Sequence, residues 1–140
     1  MSRSKKLCET MIRSMIFAVL IGLAAHGIVP AASLDLVKKI ADYEITIGLD
    51  RNPPAVGRNP LGITIRDRSG RIVSDAEVLV NYYMPPMPRM APMNYRVKAP
   101  FKGGKYRAEM NFIMEGPWVI AVKINRGGKP AGAKFNVDAR

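Results

Sequence analysis

The sequence predicts an all-β protein: an immunoglobulin-like antiparallel β-sandwich of about seven strands, preceded by an N-terminal signal helix. Short segments with apolar residues at every second position recur from Tyr43 onward. Turns rich in glycine or proline separate these segments about every ten residues. An apolar stretch with a basic start precedes them. With 140 residues, the chain has room for one ordinary domain.

Residues 1–33 have the organisation of a secretory signal peptide. The start is basic, an apolar stretch runs from Met15 to Val29, and small residues follow at positions 31–33. This stretch of about 15 residues is short for a membrane span, which needs about 20. We expect cleavage near Ala32 or Ser33 and a periplasmic or other extracytoplasmic location. The alternative is an uncleaved anchor in the inner membrane, in which case the leader would be the chain's only contact with the membrane.

The mature chain begins with a short segment of different pattern. Residues 34–41 (LDLVKKIA) are weakly helical in their spacing and predict a frayed lead-in, so we place the domain at residues 42–140. Alternating apolar residues then predict strands within 43–49, 61–65, 78–82, 95–99, 106–114, 118–124 and 133–137. One apolar face on each strand is what two sheets packed face to face require. Met110 and Trp118 lie on such faces and are predicted core residues.

The residue types that the mature chain lacks exclude several functions. From Leu34 onward there is neither histidine nor cysteine. This composition excludes a disulfide, an ordinary zinc site and Ser–His or Cys–His nucleophile pairs. The carboxylates form no recognisable acid–base motif. We therefore expect a protein that is not an enzyme.

The mature chain is strongly basic. The first 33 residues hold four of the 22 basic and one of the 11 acidic residues, which leaves 18 against 10, a net charge of +8. A basic protein favours anionic partners. Outside the cytosol these are anionic lipid heads and envelope polymers, and we expect no nucleic acid partner. The alternative interpretation is that the charges only keep the surface soluble.

One segment is unusual in composition. Four methionines, Met84, Met87, Met90 and Met93, follow one another at intervals of three residues, and four prolines lie among them. The prolines favour a polyproline II path with three residues per turn, which would align the thioethers on one side about 9 Å apart. On a straight helix, these sulfurs are too far apart for three of them to share one ion. A shared site therefore requires the segment to bend.

Three interpretations of this segment stay open. Thioethers are soft ligands that suit Cu(I), so the four methionines are candidate metal ligands, with Met114 as a further one. The same apolar segment is alternatively a docking surface for a protein partner. The third interpretation is that methionine acts as a flexible filler at one end of the sandwich.

Several motifs in sequence order resemble the YtkA-like domain family, whose relatives include the FixH proteins. They are VLVNYYMPPM at residues 78–87, GKYRA at 104–108 and FIMEGPW at 112–118. The resemblance covers about Tyr43 to Val137. It implies a small envelope β-sandwich associated with copper handling, or with metal efflux and oxidase assembly. The function we expect is thus an exported, non-catalytic binding protein for Cu(I). The alternative is an interaction module that docks an envelope or inner-membrane protein of an efflux or oxidase assembly.

Overall fold

The structure, a computed structural model, describes residues 32–140 as two antiparallel β-sheets packed face to face. This confirms the predicted all-β sandwich, whereas the predicted signal helix lies outside the described residues. The strands are β1 Leu34–Ile40, β2 Tyr43–Leu49, β3 Gly57–Asp67, β4 Glu77–Tyr83, β5 Asn94–Lys98, β6 Phe101–Lys102, β7 Lys105–Phe112, β8 Gly116–Arg126 and β9 Lys129–Ala139. The first sheet has the order β1-β2-β3-β7-β6 and the second has the order β5-β4-β8-β9.

Strand β1 corrects the helical lead-in predicted for residues 34–41. It pairs with β2 along its whole length, from Leu34 opposite Leu49 to Ile40 opposite Tyr43. The prediction was wrong because a charged residue, Lys38, takes a position on the core side, where the alternation requires an apolar one. Together with the two-residue strand β6, β1 raises the strand count of the described part from about seven to nine.

The core lies between the two sheets and is built by the predicted alternation. Ile45 and Ile47 of β2 and Ile63 of β3 point inward and are fully buried. Met110 and Trp118 are also fully buried, as the sequence predicts. Two loops meet at one end of this core, because the last residue of β4, Tyr83, pairs with Val119 near the start of β8. The β4–β5 loop and the β7–β8 turn therefore lie side by side.

Candidate functional site

The unusual methionine segment forms the loop between β4 and β5, and we refer to Met84–Met93 as the Met/Pro loop. Strand pairing continues up to its base, where Tyr83 lies opposite Asn94. The backbone N–H of Met84 then donates to the carbonyl of Met93 at 3.2 Å. The first and last methionines are thus held together by the backbone, and the loop is an extension of the hairpin.

A tight turn at the tip reverses the chain. The N–H of Met90 donates to the carbonyl of Met87 at 3.3 Å. Pro88 occupies the second position of this turn, and Arg89 occupies the third with a φ of 65°. Proline followed by a residue of positive φ is the pattern of a type II turn. The straight polyproline II path expected from the prolines is therefore interrupted at the middle of the segment, and the bend that a shared site requires is present.

The bend gathers the four loop methionines around one space. A cavity of about 220 Å³ lies within the loop, and its lining is Tyr83, Met84, Pro85, Pro86, Met87, Met90, Ala91, Pro92, Met93 and Asn94. This lining is mainly apolar. Its methionines carry thioether sulfurs, which are soft donor atoms for a metal ion. The predicted residues Met84, Met87, Met90 and Met93 are thus brought together, although they span ten residues of the chain.

The four side chains differ in their contact with solvent. Met84 is 6% exposed and belongs to the core, while Met87 and Met93 are half-buried and pack against the core. Met90, at the end of the turn, is 42% exposed. The cavity therefore runs from a rigid inner end at Met84 to an open outer end at Met90.

Met84 is positioned by a glycine that the sequence analysis did not single out. Gly116, at the start of β8, has a φ of +120°, and a Cβ atom at this position would lie 3.1 Å from the Met84 methyl carbon Cε. The absence of a side chain there gives Met84 room beside β8. The Gly-Pro dipeptide in the sequence signals only a break in a strand, so this packing role could not be inferred from it.

Met114, the fifth predicted ligand, lies in the turn between β7 and β8 and does not line the cavity. Its side chain is half-buried and packs against the core. Its backbone carbonyl accepts a hydrogen bond from the indole Nε1–H of Trp118 at 3.1 Å. Met114 therefore lies in a turn beside the Met/Pro loop but outside the cavity that the four loop methionines line.

An aromatic cluster supports the inner end of the loop. The ring of Trp118 lies 4.9 Å from Phe112, 6.1 Å from Tyr82 and 6.3 Å from Tyr95, measured between centroids. The hydroxyl of Tyr82 accepts a hydrogen bond from the N–H of Asn111 at 3.3 Å. These contacts join both sheets below the Met/Pro loop, so the strands that carry the loop are fixed by core packing.

The charges around the loop are few. Within residues 32–140 no group of three or more histidine, cysteine, aspartate or glutamate side chains is arranged to hold a metal ion. The loop itself carries one charged side chain, Arg89, which is exposed. The lining contains no acidic side chain, and its oxygen-bearing side chains are Tyr83 and Asn94. The four neutral thioethers are its soft donors, which favour a soft cation over hard ions such as Mg²⁺ and Ca²⁺.

The described part of the chain contains no helix of the length and apolar character needed to span a membrane.

Comparison with known proteins gives a family and a fold. A family model described as YtkA-like matches residues 38–123, which is more than half of the chain and includes the whole Met/Pro loop. No curated protein matches the sequence. Among solved structures, the soluble domain of PmoD from Methylocystis sp. (Rockwell) superposes with a TM-score of 0.55 at 17% identity, covering 75% of this chain and 97% of that domain. At this identity the likeness shows a shared fold.

Proposed function

The chain belongs to the YtkA-like family, and from this premise and the geometry of the Met/Pro loop we propose that it is an exported protein that binds Cu(I). The observation that carries the proposal is that four methionines line one cavity within a loop bent by a hydrogen-bonded turn. Met84, Met87, Met90 and Met93 are the ligands we assign. The ion is the protein's cargo.

The chemistry of the cavity favours a soft monovalent ion. Thioether sulfur selects Cu(I) among the metals that proteins commonly bind, whereas the hard cations need oxygen ligands. Two backbone hydrogen bonds, from Met84 to Met93 and from Met90 to Met87, fix the bent path of the loop. A preformed turn reduces the conformational entropy that binding would otherwise cost.

The gradient of exposure along the loop suits uptake and release. Met84 is held between the core and Gly116, so it provides a fixed ligand at the inner end. Met90 is 42% exposed, so it can meet an ion or a partner first. We therefore assign Met90 the role of entry ligand and Met84 the role of anchor.

We propose no catalytic activity. The described residues contain neither histidine nor cysteine, and Ser69 lies in the turn after β3, where its hydroxyl donates to Asp67. Nucleophilic catalysis by a triad requires a base beside the nucleophile. This composition therefore supports a binding role.

A second candidate function is protein docking through the same loop. The tip of the loop presents the exposed side chains of Met90, Pro88 and Pro92, and the neighbouring β7–β8 turn presents Ile113, which is 50% exposed. These residues give one end of the sandwich an apolar surface of the kind that binds partners. A membrane or assembly partner would take this surface without any need for the thioether sulfurs.

A competition titration separates the two functions. Residues 34–140 are titrated with Cu(I) against a chromogenic chelator, which leaves out Cys8 and His26 as other ligands. We expect about one equivalent of Cu(I) per chain, in keeping with one thioether site. Changing the four loop methionines to leucine should abolish binding, because leucine keeps the apolar bulk and removes the sulfur.

Two further variants are the controls. Met110→Leu changes a fully buried methionine outside the loop and should leave the stoichiometry unchanged. Met114→Leu tests the fifth predicted ligand, and retention of binding would limit the site to the loop. If the unchanged chain takes up no Cu(I), the metal function is wrong and capture of a membrane partner by the loop becomes the next experiment.

A further inference from the structure

The outer face of the β5-β4-β8-β9 sheet carries a compact group of cations. Arg96 and Lys98 of β5, Lys123 of β8 and Lys134 of β9 are all exposed. The strand register places them in two adjacent rows. Lys98 and Lys123 flank Leu79 in one row, and Arg96 and Lys134 lie in the next. We refer to these four residues as the basic face.

The charges of the basic face are not neutralised by neighbours. Residues 32–140 contain six ion pairs, and none of them involves these four side chains. The carboxylates on this side of the sheet are Glu77 at one end and Asp138 at the other, and Asp138 pairs with Arg140. On the outer face of the opposite sheet, Lys39 and Arg58 pair with glutamates, whereas Lys105 and Arg107 are in none of the six ion pairs.

The basic face also has an apolar centre. Leu79 and Val119 are half-buried and Ala121 is 6% exposed, all on the same side of the sheet as the cations. A shallow depression of about 660 Å³ begins at Leu79 and is also lined by Pro130 and Ala131. Its charged lining residues are Lys123 and Glu77. Apolar surface is thus adjacent to positive charge.

One cation is held in place by the sheet itself. The guanidinium Nε–H of Arg96 donates to the side-chain oxygen of Asn81 at 3.2 Å. The amide of Asn81 in turn donates to Asn94 at 3.0 Å. Because Asn81 is nearly buried, this chain of hydrogen bonds keeps Arg96 over the face of the sheet.

We propose that the basic face binds the surface of a bilayer that contains anionic phospholipids. Such lipids combine a negative head group with apolar chains, which matches a sheet face where Lys98 and Lys123 lie on either side of the apolar Leu79. A broad sheet face suits a planar surface, whereas an extended acidic peptide would pair with a free strand edge. The edges of this sheet are β5 and β9. The edge of β9 is partly taken, because Arg140 exchanges backbone hydrogen bonds with Pro54 and Val56, and Lys38 donates to the carbonyl of Lys134. A peptide paired with the edge of β5 would lie beside Arg96 and Lys98 and leave Lys123 and Lys134 without a partner.

This inference does not rest on the proposed copper function. The basic face lies on the side of one sheet, whereas the Met/Pro loop lies at the end of the sandwich. The net charge of the mature chain favours anionic partners such as lipid heads in general. The basic face assigns that contact to four residues and is additional to any contact through an uncleaved leader. Loss of one function should leave the other intact.

Vesicle binding of the full chain tests the proposal. The probe is vesicles of phosphatidylglycerol and phosphatidylcholine in equal parts, compared with vesicles of phosphatidylcholine alone, with bound protein measured by sedimentation. The test variant changes Arg96, Lys98, Lys123 and Lys134 to glutamine. The control variant changes four other exposed cations to glutamine. They lie on the opposite sheet and are Lys39, Arg58, Lys105 and Arg107. Both variants lose four charges and keep the same leader.

We expect the test variant to lose affinity for the anionic vesicles by about 600-fold, since each of the four cations near such a surface contributes about fivefold. The control should lose much less, and added salt should weaken binding of the unchanged chain. Equal losses in both variants would show that net charge alone drives binding and would overturn the proposal. Absence of any preference for phosphatidylglycerol would also overturn it. The fluorescence of Trp118 in each variant verifies that the sandwich is folded.

Discussion

Gly116 is the residue on which the position of Met84 depends most directly. Its φ of +120° is a conformation that side chains rarely adopt, and its missing Cβ leaves space for the Met84 methyl group. Strain of this kind costs about 1–3 kcal/mol in a residue other than glycine. Two separable effects are therefore combined at one position: a backbone conformation that β8 needs, and the placement of the innermost thioether.

We predict that Gly116→Ala lowers the free energy of unfolding by about 1–3 kcal/mol and also weakens Cu(I) binding, because Met84 must move. Urea unfolding and the chelator competition measure the two effects. Gly104→Ala is the matched control, since Gly104 has a φ of +82° and nothing lies within 4 Å of its Cβ position. It should destabilise the fold and leave the Cu(I) affinity unchanged. Equal losses of affinity in both variants would remove Gly116 from the site.

The turn at the tip of the Met/Pro loop also requires a positive φ. Its third position needs a positive φ and is occupied by Arg89, at 65°. Glycine is the residue usually found there, since it adopts this conformation without a steric penalty. Arg89 therefore makes the conformation of this turn less stable than glycine would at the same position.

We predict that Arg89→Gly raises the free energy of unfolding by about 0.5–1 kcal/mol, because relief of strain exceeds the added entropy of the unfolded chain. Thermal unfolding followed by circular dichroism measures the change. Arg89→Val should have the opposite effect, since a β-branched residue tolerates a positive φ poorly. Both variants retain the four methionines, so Cu(I) stoichiometry should stay at that of the unchanged chain. A stability ranking with valine above glycine would contradict the turn assignment.

Strand β1 was not predicted from the sequence, and the reason lies in one residue. In β1 the core-side positions are Leu34, Leu36, Lys38 and Ile40, so a lysine interrupts the apolar alternation. The Nζ of Lys38 lies 5.7 Å from the ring centroid of Phe135 and bonds to β9, so it closes the gap between two sheet edges. A charge directed inward at an edge strand discourages pairing with other chains. Its role depends on β9, which is distant in sequence.

The sequence predicted that the four loop methionines group together, but it did not predict the separation of Met114 from them or the shape of the loop. The interval of three residues identified Met84, Met87, Met90 and Met93, and the prolines suggested a straight path. The turn at Pro88 and Arg89 and the hydrogen bond across the base of the loop decide the shape instead. The latter follows from the pairing of β4 with β5, and the burial of Met84 follows from packing against β8. Both are tertiary effects that local spacing does not encode.

The two sheets of residues 32–140 share one core. The fluorescence of Trp118, the one tryptophan of the sequence, depends on whether this core is folded. Trp118 of the second sheet contacts Phe112 of the first and lies under the strands that carry the Met/Pro loop. A small single domain of this kind usually unfolds in one cooperative transition. A ligand bound by the loop should therefore stabilise the entire sandwich, since the loop cannot keep its shape once β4, β5 and β8 separate.

A bound ion should therefore raise the unfolding temperature of the sandwich. At a free Cu(I) concentration about 100 times the dissociation constant, binding to the folded state alone adds about 2.7 kcal/mol of stability. For a domain of this size, that raises the unfolding temperature by about ten degrees or more. The measurement is thermal unfolding of residues 34–140 followed by Trp118 fluorescence, with and without Cu(I). The variant with four leucines in the loop should unfold at one temperature in both conditions. A rise of equal size in that variant would locate the ion outside the loop, and no rise in the unchanged chain would mean that Cu(I) binds the folded state no better than the unfolded one.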